Sequence, residues 1–293
     1  MTVLEWDKTG ERKYETGVDH GVLYIPDAGG NYLNGYAWNG LTTVTESPSG
    51  AESTKQYADN IPYLNLISYE EFGGTIEAFY SPPEFDQCDG TGVPEPGIKV
   101  GQQTRKSFGL CYRTKVGTDL NPDQGFKLHL VYGATASPSE KAYATVNDSP
   151  EALGFSWAFS TIPTNVGTVD GVDYKPTSIL VIDSTLVDPT ALETLMEMLY
   201  GTVGTDPTLP APADVMSLFT GTVTEVAPTQ PAYVSGTHTI TIPTVTGVIY
   251  KRNGVTVPAG ALVIAVDTVI NAVPAPGYKF PAVSVRSWFY DYV

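Results

Sequence analysis

The sequence predicts a mainly β protein that carries one helix against a sheet and ends in a small all-β module. Three observations predict it. Charged residues make up only 16% of the chain, while 29 Gly and 23 Pro supply turns and 18 Tyr favour strands. Two neighbouring stretches, 104–116 and 126–132, alternate apolar and polar residues at the period of a strand. A single long stretch, 189–200, has helical spacing with start and stop signals at its ends.

The elements follow in order. Gly21–Ile25 is a short apolar run between Gly and Pro and reads as the first strand, followed by a loop over 28–35. Tyr36–Glu46 and Ile61–Ser68 read as strands flanking a polar loop, Ser47–Asn60. A structureless loop of this length inside a compact domain is usually functional or disordered. Gly73–Tyr80 reads as another strand and stops at Pro82-Pro83. Residues 84–97 are a turn-rich connection.

In 104–116, Phe108, Leu110, Tyr112 and Val116 point to a core, with Arg105, Ser107, Arg113 and Lys115 opposite. After the turn at 119–125, Phe126, Leu128, Leu130 and Tyr132 point inward, which makes a hairpin. The next stretch, 134–152, is mostly loop, with a short strand expected near Ala142–Val146. Leu153, Phe155, Trp157 and Phe159 then share one core-facing side, and Ser178–Ile182 reads as a strand covered on both faces. In 189–200, Asp188 is placed to cap the helix, Pro189 suits its first position, and Gly201 suits the position past its end. Leu192, Leu195, Met196 and Leu199 form its apolar stripe, and a second short helix is expected after Pro212.

Composition changes at 221–236, a Pro/Thr/Gly-rich linker. Beyond it, 238–242, 247–257, 261–266 and 283–292 read as short strands, with Asn253-Gly254 as a tight turn. About sixty residues of this pattern suggest a small sandwich of immunoglobulin-like type.

The formal charge is −16, which argues against a nucleic-acid-binding groove. Residues 1–225 carry 12 Lys+Arg against 30 Asp+Glu, and residues 226–293 carry 4 against 2, so the acidity belongs to the first part. The N-terminal residues contain no apolar signal region, and no stretch approaches the roughly 18–20 apolar residues of a membrane span. A soluble protein made without export is expected.

No catalytic constellation is found. His20, His129 and His238 have no partner at metal-ligand spacing, and His129 falls on the polar face of its strand, as a surface or interface histidine would. There is no phosphate-binding Gly loop and no nucleophile elbow. Glu70-Glu71 and the Asp86, Asp89, Glu95 group beside Cys88 read as solvated loop charge. Cys111 reads as a buried or half-buried free thiol, and two cysteines make no disulfide framework. No catalytic residue, cofactor site or metal site is therefore assigned.

Three blocks, 6–24, 37–66 and 101–117 with 125–152, resemble in order and spacing the major tail proteins, or tail tube proteins, of long-tailed bacteriophages with non-contractile tails. The resemblance runs over roughly 1–220 and includes the closing stretch 176–202. It implies two packed antiparallel β-sheets with a flanking α-helix over residues 1–222, a linker at 223–230, and an immunoglobulin-like decoration domain at 231–293. Such proteins form hexameric rings that stack into a tube, the inner sheets joining into a barrel around the passing DNA.

The implied partners are other copies of the chain, the tape measure, tail tip and terminator proteins at the tube ends, and DNA that is not specifically bound. The chain is not expected to enter a membrane. The implied location is the virion tail, after synthesis in the host bacterial cytoplasm. Within the loop, Ser47, Glu52, Lys55, Tyr57, Asp59 and Asn60 are the candidate contacts between subunits or rings.

The resemblance also gives the acidity a second meaning. A negative channel wall would repel phosphate within a Debye length of about 8 Å, although Arg105, Arg113 and Lys115 on one polar face run against a uniformly negative wall. The alternative is a β-rich cell-surface or carbohydrate-binding adhesin, with Trp288, Phe289 and Tyr290 as a stacking platform.

Overall fold

A computed structural model describes residues 6–146, 148, 152–169, 171–220, 224–275, 277–281 and 283–292. Strand accounts for 49% and helix for 10%, so the protein is mainly β, with antiparallel sheets. The first strands are β1 (Lys13–Pro26), β2 (Tyr32–Ala37) and β3 (Leu41–Glu46). Four short strands follow, β4 (Ser49–Gly50), β5 (Ser53–Ala58), β6 (Ile61–Ile67) and β7 (Glu70–Glu71), and then β8 (Gly73–Ala78). After a small ribbon of β9 (Gly92–Glu95) and β10 (Ile98–Val100) come β11 (Phe108–Thr118), β12 (Gly125–Ala136) and β13 (Phe155–Thr161). A second ribbon, β14 (Gly167–Val169) and β15 (Val172–Tyr174), precedes β16 (Ile179–Asp183).

One eight-stranded sheet organises this part, in the order β2-β1-β11-β12-β13-β8-β3, with β16 also on β12. The sheet forks at β12. Lys127–Val131 pair with β16, whereas Ala134–Ala136 pair with β13. Gly133 sits at the fork with φ +62°, and a Cβ there would lie 2.3 Å from the Ile162 carbonyl oxygen. Only glycine permits both the backbone angle and that approach.

The strands at the centre are apolar on both faces, and the fold buries both. Leu23, Phe108, Leu110, Tyr112 and Val131 meet Trp38, Ile76, Phe85, Trp157 and Phe159 in one core. Tyr24, Cys111, Leu128, Leu130 and Tyr132 meet Leu192, Leu195, Leu199 and Val215 in a second. This differs from a hairpin with one buried face. The register pairs Leu110 with Val131 and Cys111 with Leu130, so the two apolar rows of β11 and β12 feed opposite cores. Three further expectations are corrected. Residues 142–146 form no strand, Leu153 lies outside β13 and is exposed, and β16 is covered on both faces only in part: Leu180 and Ile182 pack on the second core, while on the other face Ile179 packs on the first core and Val181 is half exposed.

The second core is closed by α1 (Pro189–Tyr200) and α2 (Pro212–Phe219). Asp188 caps α1, its Oδ2 accepting from the Ala191 amide at 3.0 Å, while its Oδ1 accepts from the Gly277 amide at 2.6 Å. One buried carboxylate thus holds a helix start and a segment 89 residues away. Asp188→Ala should lower stability by about 1–2 kcal/mol, the upper range for a lost cap. An unchanged urea midpoint would refute the double role.

The remaining strands are β17 (Thr224–Glu225), β18 (Ala232–Val234), β19 (Thr239–Ile242), β20 (Val248–Arg252), β21 (Val255–Thr256), β22 (Gly260–Val263), β23 (Thr268–Pro274), β24 (Tyr278–Lys279) and β25 (Ser287–Tyr290). Two antiparallel sheets, β18-β19-β22 and β21-β20-β23-β25, share a third core built on Ile240, Ile242, Tyr250, Ile270, Trp288 and Tyr290. Asn253 and Gly254 both have positive φ and make the turn between β20 and β21. This part touches the first through Arg286 on Thr185, Gln124 on Ser287, and Gly277 on Asp188.

Candidate assembly surface

At the edge of the large sheet, β3 and β8 pair as far as Glu46 and Gly74. The chain then continues outward instead of turning back. The Ser47 amide donates to the Gly73 carbonyl, β4 pairs with β7, and β5 pairs with β6. Asp59 and Asn60, at φ 51° and 61°, form the two-residue turn at the tip, a conformation that Asn and Asp tolerate best among non-Gly residues.

The stretch expected as a structureless loop, Ser47–Asn60, is therefore half of a two-stranded arm. The strand expected in the sheet, Ile61–Ser68, is the arm's return half. At roughly 3.3 Å per residue the arm can reach about 40 Å from the sheet. Ser47 lies at its root. Glu52 exchanges hydrogen bonds with Ser68, Lys55 lies opposite Asn65, Tyr57 lies opposite Pro62, and Asp59 and Asn60 are the tip.

Every residue of β5 and β6 is exposed. On β6, Ile61, Tyr63 and Ile67 alternate with Pro62, Leu64 and Leu66, so the strand is apolar on both faces. The partner positions on β5 are polar toward the root, Ser53, Thr54, Lys55 and Gln56, and turn to Tyr57 and Ala58 near the tip. A strand apolar on both faces normally lies inside a sheet. Here β5 and β6 form a separate two-stranded sheet whose outer edges have no strand neighbour among the described residues. Isolated hairpins are marginal in water, and open apolar edges are templates for pairing with another chain. Tyr69, 87% exposed, continues the apolar surface toward the root. The residues that reasoning from sequence missed are thus Ile61, Tyr63, Leu64, Leu66, Ile67 and Tyr69. Their signal was a strand pattern, which by itself does not say what covers it.

The arm's root is tied to the sheet by a polar chain. His129 Nδ1 lies 2.9 Å from Glu46 Oε1, which also accepts from the Tyr112 hydroxyl. The Tyr112 and His129 rings stack at 4.6 Å and 9°. His129 Nε2 lies 3.1 Å from Thr114 Oγ1, and that oxygen lies 3.4 Å from Glu15, whose carboxylate also binds Lys127. His129 is buried, not at the surface as its strand face suggested, because both faces of β12 are covered.

Hydroxyl, imidazole and carboxylate in a row have the connectivity of an acyl-transfer triad. The surroundings do not suit that chemistry. The Thr114 hydroxyl faces a second carboxylate, and Glu46 is shared with a phenol. What the row does is hold the end of β3 to β11 and β12.

The hydrogen bond from His129 holds the Glu46 carboxyl below its ordinary value against the opposing effect of burial, with Tyr112 adding to the depression. A depressed carboxyl contributes stability above its unfolded pKa, here 4.5, and loses it as pH falls through the lower folded value. Glu46→Gln should therefore lower the melting temperature at pH 6–7, and the gap to wild type should close below about pH 4. A gap independent of pH would show that the carboxylate charge is not what holds the root.

Of the other sequence-selected groups, Glu70, Glu71 and Glu95 are exposed on the surface, and several others are paired or buried. Asp86 binds Lys99 at 2.7 Å, and Asp89 binds Arg105 at 3.5 Å and Lys141 at 2.5 Å. Arg113 forks onto Asp19 at 2.7 and 3.0 Å and lies over the Phe126 ring. Among the described residues, no group of three metal-ligating side chains converges. Cys88 and Cys111 are buried free thiols, each pushed up to about 12, chiefly by burial, so neither is a reactive thiolate. No described helix is long and apolar enough to cross a membrane. Neither a family model nor a curated protein matches the chain.

Proposed function

We propose that the protein is a structural subunit of a phage tail tube, assembling with copies of itself into stacked rings that form a channel for DNA. The single observation carrying this reading is the arm of residues 49–71, with β6 apolar on both faces and both ribbon edges open. A surface of this kind gains by adding to a sheet of another copy. The sequence resemblance supports the same reading independently, since the arm falls within the 37–66 block that carries it and just beyond. Six copies per ring, the tail-tube fold over 1–222 and the immunoglobulin-like character of 231–293 belong to this proposal through that resemblance. So do the tube-end partners and the virion location. The acidity of residues 1–225 suits a channel wall that repels phosphate.

The adhesin reading loses its main support. Trp288 and Tyr290 are buried in the third core, leaving Phe289 alone of the three exposed. The test is negative-stain electron microscopy of the purified full chain over a concentration series. Rings or tubes about one arm's reach in repeat are expected. A persistent monomer at millimolar concentration overturns the proposal.

A further inference from the structure

A cleft of about 800 Å³ lies where the C-terminal sheets meet the first part of the chain, a volume within the range of small-molecule sites. Its walls come from the turn after β11 (Asn121), the segment after β16 (Ser184, Thr185), and the outer face of β20 and β23 (Lys251, Asn271). Arg286 completes it. That side chain is 4% exposed. Its Nε donates to Ser284 Oγ at 3.1 Å, and its Nη1 donates to the Thr185 carbonyl at 2.8 Å and to the Thr185 hydroxyl. Its Nη2 makes no hydrogen bond among the described residues, and Arg286 is one of the residues that line the cleft.

Nor does the guanidinium have a counter-ion at contact among the described residues. The carboxylate that acts on it is Asp183, whose Oδ1 is occupied by the amide and hydroxyl of Thr185. Lys13 is near enough to feel Arg286, and its ammonium is held below the ordinary value by burial first and by Arg286 second. A second cation, Lys251, stands on the cleft wall; the one acidic lining residue, Asp123, lies 3.9 Å from Lys115. A buried charge without a contacting partner is costly, and arginine does not escape the cost by losing its proton. Charge of this sign is notable in a chain of net charge −16.

We propose that this cleft binds a small oxyanion ligand, a phosphate or carboxylate with a polar body, with Arg286 Nη2 as the anion donor and Lys251 as the second charge. Arginine presents the fork that matches either anion. The amide and hydroxyl groups of Asn121, Asn271 and Ser184 suit hydroxyls on the rest of the molecule, and among the described residues no aromatic ring lines the cleft to stack on an uncharged sugar. Both parts of the chain contribute to the wall, so the ligand would bridge them. The inference stands apart from the tube reading, since it needs only the folded chain.

The test is calorimetric titration of the full-length protein at low ionic strength with glucose 6-phosphate, glucuronate, glucose and inorganic phosphate. Saturable binding of the two charged sugars is expected, at least tenfold tighter than glucose and weakened by added chloride. The better of the two identifies the anion, and inorganic phosphate alone separates the anion's contribution from the body's. Arg286→Gln should abolish binding. Because a buried change could disturb the fold, Lys251→Glu, at a half-buried position, is the second variant and should weaken binding at least tenfold with an unchanged melting temperature. Equal binding of glucose and its phosphate, no binding of any probe, or full affinity in Lys251→Glu would overturn the proposal.

Discussion

Replacing residues 49–71 by a short Gly/Ser turn should leave a folded protein that does not assemble into the proposed tubes. The arm contributes nothing to the three cores, and each residue of β5 and β6 is exposed. Surface changes of this kind shift stability by only about 0.5 kcal/mol. Assembly should respond very differently. Ile61, Tyr63, Leu64, Leu66, Ile67 and Tyr69 would each gain roughly 1.5–3 kcal/mol on full burial, so even half of that gives a gross gain on the order of 5 kcal/mol per arm. The concentration needed for assembly should rise by at least about a hundredfold, given that 1.4 kcal/mol is a factor of ten. Size-exclusion chromatography with light scattering reads the oligomer, and circular dichroism reads the fold. Tubes formed at the wild-type concentration by the armless protein would sink the assignment.

The largest effect on stability is expected at Trp157. It is among the largest fully buried side chains, with its ring 5.8 Å from Trp38, 5.3 Å from Phe85 and 5.9 Å from Phe155. Trp157→Ala should cost about 3–5 kcal/mol, since the aromatic neighbours are held by the segment after β2, the short helical turn Pro83–Gln87 and β13 itself, and cannot close the space. Trp157 Nε1 is buried without a hydrogen-bond partner. Trp157→Phe removes that unsatisfied donor along with some volume, so its cost should be under about 1.5 kcal/mol. Equal urea midpoints for the two variants would mean that the cluster is not packed around this ring.

The same chain gave very different legibility in different places. α1 was readable to the residue, from the Asp188 cap to Gly201, because caps and a periodic stripe are local signals, and α2 was placed after Pro212 without its end. The core row of Trp157 and Phe159 was readable for a similar reason. β23 was overlooked between turn-rich neighbours, although Thr268, Ile270, Ala272 and Pro274 alternate on its buried face. The arm was readable as apolar strand and polar stretch but not as an arm. The cleft at Arg286 left no trace at all, since Arg286 and Thr185 are 101 residues apart.

By itself, then, the sequence determined the mainly β class, the longer helix with its ends and the place of the shorter one, and the apolar identity of Ile61–Ile67. Only the tertiary structure decided what each apolar face meets. A period of two specifies that successive side chains part company, not which core lies on either side. Leu110 and Leu130 have the same pattern around them and enter different cores. His129 looked polar-faced and is buried beside Glu46 because a helix layer covers one face of its strand and a folded-over sheet the other. β6 has the sequence of an interior strand and lies in solvent, since β3 and β8 run on past the sheet edge before the chain turns at Asp59-Asn60. Burial is a property of the neighbours, and the neighbours are set by contacts distant in sequence.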